Sequence, residues 1–435
     1  MFEANFPFVI FIVVYVFQVL FSTWLEGINL KHLQRYGNRI PEFFEGFIDA
    51  ARLSDMNTYT RSKTRLEMAE TFFTEAVLLV LILSGFITSL ENDFSRWQLP
   101  FAIAGPLFFL LPAAILYVVA LPFSFCRSFV IEKKYGFHRS SPRMWILDQI
   151  KSGIISIVIF SFLLILILWL MHIAPAMWWF WGFLAVSTVQ ILLALLYPVL
   201  IAPLFNKFEP LQDLELAETI RTLMDQNGIR VKNILQMDAG KRSSHTNAYF
   251  TGFGRTKQIV LFDTLIESHP REEILAVLAH EAGHYQRRHI IKQIAIFEIF
   301  MFTGFYLTYH LMNWPALYAA FGFQSMLPYA GLFIVGIFWQ KAGFFLQPFY
   351  MAVSRHFERQ ADAFATGFLQ TAVPLITALK RMAKDNLSNL APHPLYVWFH
   401  YSHPPLVRRI TLLEETERDI TAQQEKTGKD RTLKP

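Results

Sequence analysis

Charge is scarce in this chain: only 17% of its 435 residues are Asp, Glu, Lys or Arg, against roughly 25% in a soluble globular domain. With 54% hydrophobic and 16% aromatic residues, a water-soluble protein of this size would have too few ionic groups to cover its surface. Lipid must therefore supply part of the solvent. Cysteine is almost absent too. The single Cys126 excludes an intrachain disulfide and any Cys-rich zinc or iron–sulfur site, which leaves His and carboxylate side chains to hold any metal. The short apolar core and small-residue cleavage site of a removable signal peptide are missing, because the first apolar stretch runs from Pro7 to Leu25; it reads as a retained span. A net charge of +5 would suggest nucleic acid in a soluble protein. Here Lys and Arg gather between apolar runs, where membrane orientation accounts for them, and no nucleic-acid partner is expected.

About twenty predominantly apolar residues suffice to cross the hydrocarbon core, so spans are expected near 7–25, 72–90, 99–123, 153–173, 177–201, 290–312 and 327–350. Basic residues alternate strictly between the intervening segments. The N-terminal stub has none, and the first loop carries Lys31, Arg35, Arg39, Arg52, Arg61, Lys63 and Arg65, but the second has only Arg96. The third, from Arg127 to Lys151, is basic, the Pro175 turn has none, the fifth is rich in Lys and Arg, the sixth has none, and the tail is basic again from Arg355. The positive-inside rule then puts the N-terminus outside and the fifth loop and tail in the cytoplasm. Glu75, Gln190, Glu298, Gln340, Lys341 and Gln347 lie within apolar runs. Each is costly against lipid, so they are expected to line an aqueous interior or to pair between packed helices.

The fifth loop is long enough for a small folded domain. An amphipathic stretch with Leu211, Leu214, Ala217, Ile220, Leu223 and Met224 is closed by Gly228, which suits a left-handed helix C-terminus. Strand-like runs follow at Val231–Met237, Asn247–Phe253 and Gln258–Phe262, the last two joined by a turn containing Gly254. Pro270 then opens a helix whose first turn holds Glu272 and Glu273.

That helix contains His280-Glu281-Ala282-Gly283-His284, an H-E-x-x-H pentapeptide. Histidines at i and i+4 share one face about 6 Å apart, close enough for both imidazoles to reach one Zn²⁺, and the intervening Glu can reach a metal-bound water. Gly283 costs about 1 kcal/mol of helix propensity relative to Ala; close approach of another segment would explain it. A catalytic zinc needs a third protein ligand, which must return to the same side of the membrane. Two spans lie between His284 and the segment Arg355–Asp362, so that segment qualifies. Glu358 and Asp362 are i, i+4: one carboxylate can bind metal while the other holds a ligating imidazole in its tautomer. His289 and His403 compete for the third position, although His289 points off the metal face if the helix continues.

These residues resemble the integral-membrane zinc metalloproteases of the M48 family, specifically the CAAX prenyl protease (Ste24) type. The resemblance spans nearly the whole chain. It includes the H-E-x-x-H motif, the Glu358/Asp362 pair, the stretches Lys241–Phe250 and Pro203–Phe208, and Ser402-His403-Pro404-Pro405 followed by Arg408-Arg409-Ile410. It implies a mainly α, multi-pass membrane protein with seven transmembrane helices around a large water-filled chamber and a small cytoplasmic α+β zinc-protease domain. The expected division is 1–201 for the first five spans, 202–289 for the α+β segment, 290–350 for the last two spans and 351–435 for a helical tail that completes the site. It also implies one Zn²⁺ on His280, His284 and Glu358, with Glu281 as general base, His403 as hydrogen-bond donor to the oxyanion and Asp362 orienting a ligand. Asn247, Ala248, Tyr249 and Phe250 resemble an edge strand that pairs with an extended substrate. Arg409 would support a ligand or contact a substrate carboxylate.

The implied partners are an extended peptide or protein substrate, including C-terminally prenylated ones, and membrane lipid; the chain is expected to be a monomer. The tail lacks an obvious dilysine signal and the chain is short for a eukaryotic member. The expected location is therefore a bacterial inner membrane, with the site on the cytoplasmic side, and the expected task there is cleavage of membrane-associated or misfolded proteins. A eukaryotic member would lie in the endoplasmic reticulum or nuclear envelope. A seven-span transporter or channel with a regulatory metal is the alternative, but the paired internal repeats common in transporters are not evident.

Overall fold

The computed structural model describes residues 4–252 and 257–432, with side chains to residue 426; Phe253 and the Gly254 turn lie outside the described residues. Six helices among these are long and apolar enough to cross a membrane: Phe6–Tyr36, Phe101–Glu132, Pro142–Ile173, Trp178–Leu204, His289–Met312 and Pro328–Leu369. A bent pair, Ala50–Leu83 and Phe86–Arg96, meets at 53° and makes a seventh span when taken together. The bend falls at Gly85, whose φ of +80° is open to glycine but strained for other residues. Apolar side chains of Pro142–Ile173 such as Val158, Phe162 and Trp169 point outward, as a lipid-facing wall requires. The last span does not stop at 350. It breaks at Phe344–Leu346 and continues as one helix, Gln347–Leu369, with Pro348 in its first turn where the missing N–H costs no helical bond.

Of the intramembrane polar groups, Glu75, Lys341 and Glu298 pair between helices. Lys341, 2% exposed, places Nζ 2.5 Å from Glu75 Oε1, and the Tyr15 hydroxyl donates to Glu75 Oε2 at 2.6 Å. Three spans are thereby joined at one buried point. Ser187 donates to Glu298 at 2.5 Å in the same way.

The segment between the fifth and sixth long helices folds around a four-stranded sheet, β1 Phe208–Pro210, β2 Asn233–Met237, β3 Ala248–Thr251 and β4 Gln258–Phe262, in the order β1-β2-β4-β3. β2 and β4 are parallel; the outer pairs are antiparallel. β1 was not anticipated, since three residues ending in Pro210 carry too little alternation to read as a strand. The amphipathic stretch is helix Leu214–Gln226, and Gly228 has φ +69°. Leu216, Ile220 and Met224 bury against Ile259 and Leu261 on one side of a core that also takes Ile274, Leu278 and Ala282 from helix Arg271–Gln286. The motif helix is thus clamped between sheet and tail. Arg381 holds it from helix Val373–Asp385 with a two-pronged contact to buried Glu273, at 2.8 and 3.1 Å. Glu273, expected to serve the helix dipole, is a docking residue.

Gly283 has the close neighbour its presence suggested. A Cβ there would lie 3.0 Å from Ala361 Cα and 3.1 Å from the Ala361 carbonyl oxygen. Helices Arg271–Gln286 and Gln347–Leu369 therefore pack almost backbone to backbone. That contact brings Glu358 and Asp362 up to the two histidines.

Candidate metal centre

Helical spacing puts His280 and His284 on one face, and the Gly283 contact sets Glu358 opposite them. One ligand atom from each of the three lies within 4.8 Å of the others. His280 Nε2 is 3.4 Å from Glu358 Oε2, His284 Nε2 is 3.2 Å from Glu358 Oε1, and the two Nε2 atoms are 3.1 Å apart. Asp362 Oδ1 lies 2.9 Å behind His280 Nδ1. Arg409 Nη2 lies 3.0 Å from the same Nδ1; a carboxylate only accepts, so in the tautomer that bonds Asp362, Nδ1 carries the hydrogen and the Nε2 lone pair faces the common point. Glu358 is 4% exposed, and its Oε2 has no hydrogen-bond partner. Lone pairs crowding one point, with a buried oxygen left over, repel one another unless a cation sits between them. The two-imidazole, one-carboxylate donor set suits zinc.

Arg409 lies behind this face, 7% exposed. It donates to Asp362 from Nε at 2.6 Å and Nη2 at 2.5 Å, with Nη1 3.6 Å from Glu358. Its guanidinium is engaged by Asp362 and Glu358. His403 Nε2 is 3.3 Å from Glu358 Oε1, and Ser402 Oγ is 2.8 Å from His403 Nδ1. The loop carrying both is tied to the ligand helix by Arg355, which donates to the carbonyl of Tyr401 at 2.7 Å. Glu281 lies between the histidines in sequence and faces the same space; enclosure in the wall pushes its carboxyl above the usual carboxylate range.

A cavity of about 740 Å³ opens at the centre, its wall including Asn247, His280, Glu281, His403, Arg409 and Lys63. β3 is an edge of the sheet. The Phe262 N–H donates to the Asn247 carbonyl at 3.1 Å, so by the alternation of an antiparallel ladder Ala248 and Phe250 turn their main-chain groups away from β4. The Asn247 carboxamide accepts from the Ala248 N–H at 2.8 Å. Tyr249 packs with Phe208, Leu235 and Phe262, while Phe250 stacks on Tyr285 across the sheet. Both side chains are half-buried by these contacts.

His289 departs from expectation. The motif helix ends at Gln286, Arg288 adopts a left-handed φ of +54°, and a new helix begins at His289. The turn swings the ring back, so that His289 Nδ1 lies 3.0 Å from His284 Nδ1. Sequence reasoning assumed a continuous helix. A break without glycine or proline left no composition signal, and Ser402 gave none beyond its adjacency to His403.

A family model described as the CAAX prenyl protease N-terminal region, with five membrane helices, matches residues 29–207, and one for peptidase family M48 matches 210–417. The CAAX prenyl protease 1 of Saccharomyces cerevisiae is 35% identical over 427 residues, covering 91% of this chain and 93% of that protein. Its Homo sapiens homologue is 30% identical, covering 91% and 92%. The crystal structure of S. mikatae Ste24p superposes with a TM-score of 0.88 at 31% identity, covering 94% of this chain and 100% of that one. The transporter reading finds no support among them. With both halves of the chain matched, and with His280, His284 and Glu358 grouped within the peptidase half so that they could hold a metal, this protein belongs to the CAAX prenyl protease group of the M48 peptidases and is a multi-pass membrane metalloprotease.

Proposed function

We propose that the chain is a zinc endopeptidase that cleaves extended segments at the cytoplasmic face of its membrane. The observation that carries this reading is the convergence of His280 Nε2, His284 Nε2 and Glu358 on one point beside Glu281 and His403, at the wall of a cavity reached by an edge strand. Zinc held by these three residues would supply Lewis-acid polarisation and a water acidic enough to attack near neutral pH. Glu281 takes the proton of the attacking water and delivers it to the leaving amine nitrogen. His403 donates from Nε2 to the carbonyl oxygen as it gains charge; Ser402, donating to Nδ1, holds the tautomer that leaves that hydrogen in place. Asp362 and Arg409 fix His280. The outward main-chain groups of Phe250 and the carbonyl of Ala248 pair with the substrate, which makes extension matter more than side-chain identity.

The relatives' names point to prenylated CAAX C-termini as the substrate class. Membrane-associated or misfolded proteins without a lipid, the class expected for a bacterial membrane, are the competing one. The experiment is cleavage of a prenylated CAAX peptide beside an unprenylated control by purified, zinc-assayed protein. Preference for the prenylated peptide supports the first class, equal cleavage supports the second, and cleavage of neither by zinc-loaded protein overturns the proposal.

A further inference from the structure

His289 is 1% exposed and stacks on Phe357 with ring centres 4.2 Å apart and planes within 5°. Both its nitrogens are committed. Nδ1 faces His284 Nδ1 at 3.0 Å, and Nε2 lies 2.9 Å from Gln360 Oε1, while Gln360 Nε2 lies 2.9 Å from His356 Nε2. An amide oxygen can only accept and an amide nitrogen can only donate, so Gln360 gives this chain a direction. His289 Nε2 carries a hydrogen and donates to Gln360. In the neutral ring Nδ1 is then an acceptor, the hydrogen between the two histidines sits on His284 Nδ1, and the His284 Nε2 lone pair is left facing Glu358.

We infer that His289 is the positioning residue for His284, doing with a neutral imidazole what Asp362 does for His280 with a carboxylate. The inference rests on the proposed zinc reading. The choice of a neutral partner follows from charge: Glu281, Glu358 and Asp362 already bring three carboxylates to the centre, and among the described residues only Arg409 is held against them as a permanent cation. A fourth carboxylate behind His284 would add repulsion, whereas an imidazole orients the ligand without charge. The left-handed turn at Arg288 delivers the ring to that place, and the Phe357 stack, one residue before Glu358, locks its plane. One short stretch of helix thus supplies a ligand and clamps the support of another.

The test is zinc affinity of the purified full chain, measured by competition with a chelator, together with the absorption spectrum of the cobalt-substituted protein. His289→Phe keeps a ring on Phe357 and removes the acceptor. It should weaken zinc roughly 10- to 100-fold and shift the cobalt bands. His289→Asn places an amide oxygen near the lost Nδ1 and should restore most of both. Wild-type affinity in His289→Phe, or equal losses in the Phe and Asn variants, would overturn the inference and leave a packing role. His284→Ala is the control for the underlying reading: if it retains zinc, His284 is not a ligand and the whole assignment falls, whereas loss of zinc there with no effect of His289→Phe rejects only the role of His289.

Discussion

Asp362→Ala removes the carboxylate that takes Arg409 Nε at 2.6 Å, Arg409 Nη2 at 2.5 Å and His280 Nδ1 at 2.9 Å. Two consequences should separate. Arg409, 7% exposed, is left as a buried cation whose nearest remaining carboxylate is Glu358 at 3.6 Å; removing one partner of such a pair typically costs about 3–5 kcal/mol. Movement of Arg409 toward Glu358 offsets part of that, but at the expense of a metal ligand. His280 loses the acceptor that sets its tautomer, which should weaken zinc roughly 10- to 100-fold. Asp362→Asn keeps an oxygen for His280 but turns an amide N–H or a neutral oxygen toward the guanidinium. It should retain more metal affinity than Asp362→Ala and little more stability. Arg409→Met in the Asp362→Ala background removes the stranded cation and should recover stability without recovering zinc. The assay is thermal unfolding in detergent combined with chelator competition for the single and double variants. The reasoning is refuted if Asp362→Ala unfolds within about 1 kcal/mol of wild type, as an exposed ion pair would, and binds zinc as tightly.

Three further outcomes follow from other parts of the molecule. Lys341→Met strands Glu75 within the membrane-spanning region and should cost about 3–5 kcal/mol, while Lys341→Met with Glu75→Gln should be milder; equal thermal stability of wild type and the single variant would mean the triad holds nothing. Proline scanning of a peptide substrate should find a residue, opposite the outward groups of Ala248 or Phe250, where proline blocks cleavage far more than alanine does, and a flat profile would dismiss the edge-strand reading. The His245 imidazole is held above its ordinary range by its contact with Glu132. Its contribution to stability is therefore complete below the ordinary histidine pKa and lost as pH rises through the higher folded-state value. Raising pH from about 6 to about 9 should lower the melting temperature more in wild type than in Glu132→Gln, and parallel slopes would show that the pair contributes nothing.

What was legible in the sequence were features with a period or a spacing. Apolar length marked the spans, the i, i+4 histidines marked a metal face, and an even number of intervening spans singled out Glu358 and Asp362 as partners on the same side. Gly283, an unfavourable helix residue in the middle of a motif, announced the close helix contact. Features that depend on a single dihedral were not legible. Gly85 bends the second span and Arg288 reverses the chain before His289, yet neither differs in type from residues that leave helices undisturbed. Intramembrane polar groups were readable as costly, but whether Lys341 lined water or met Glu75 depended on which helices pack together. Arg409 was visible as a charge near the site; its engagement with Asp362 required the tail helix to be placed.

The central claim is that the carboxylate of Glu281 acts on water while His280, His284 and Glu358 hold the metal. Zinc content and peptide hydrolysis of Glu281→Gln, measured on one preparation beside wild type and His284→Ala, test it most directly. The account predicts one zinc per chain and hydrolysis abolished in Glu281→Gln, with zinc lost in His284→Ala. Loss of zinc from Glu281→Gln as complete as from His284→Ala, or hydrolysis at the wild-type rate, would contradict it.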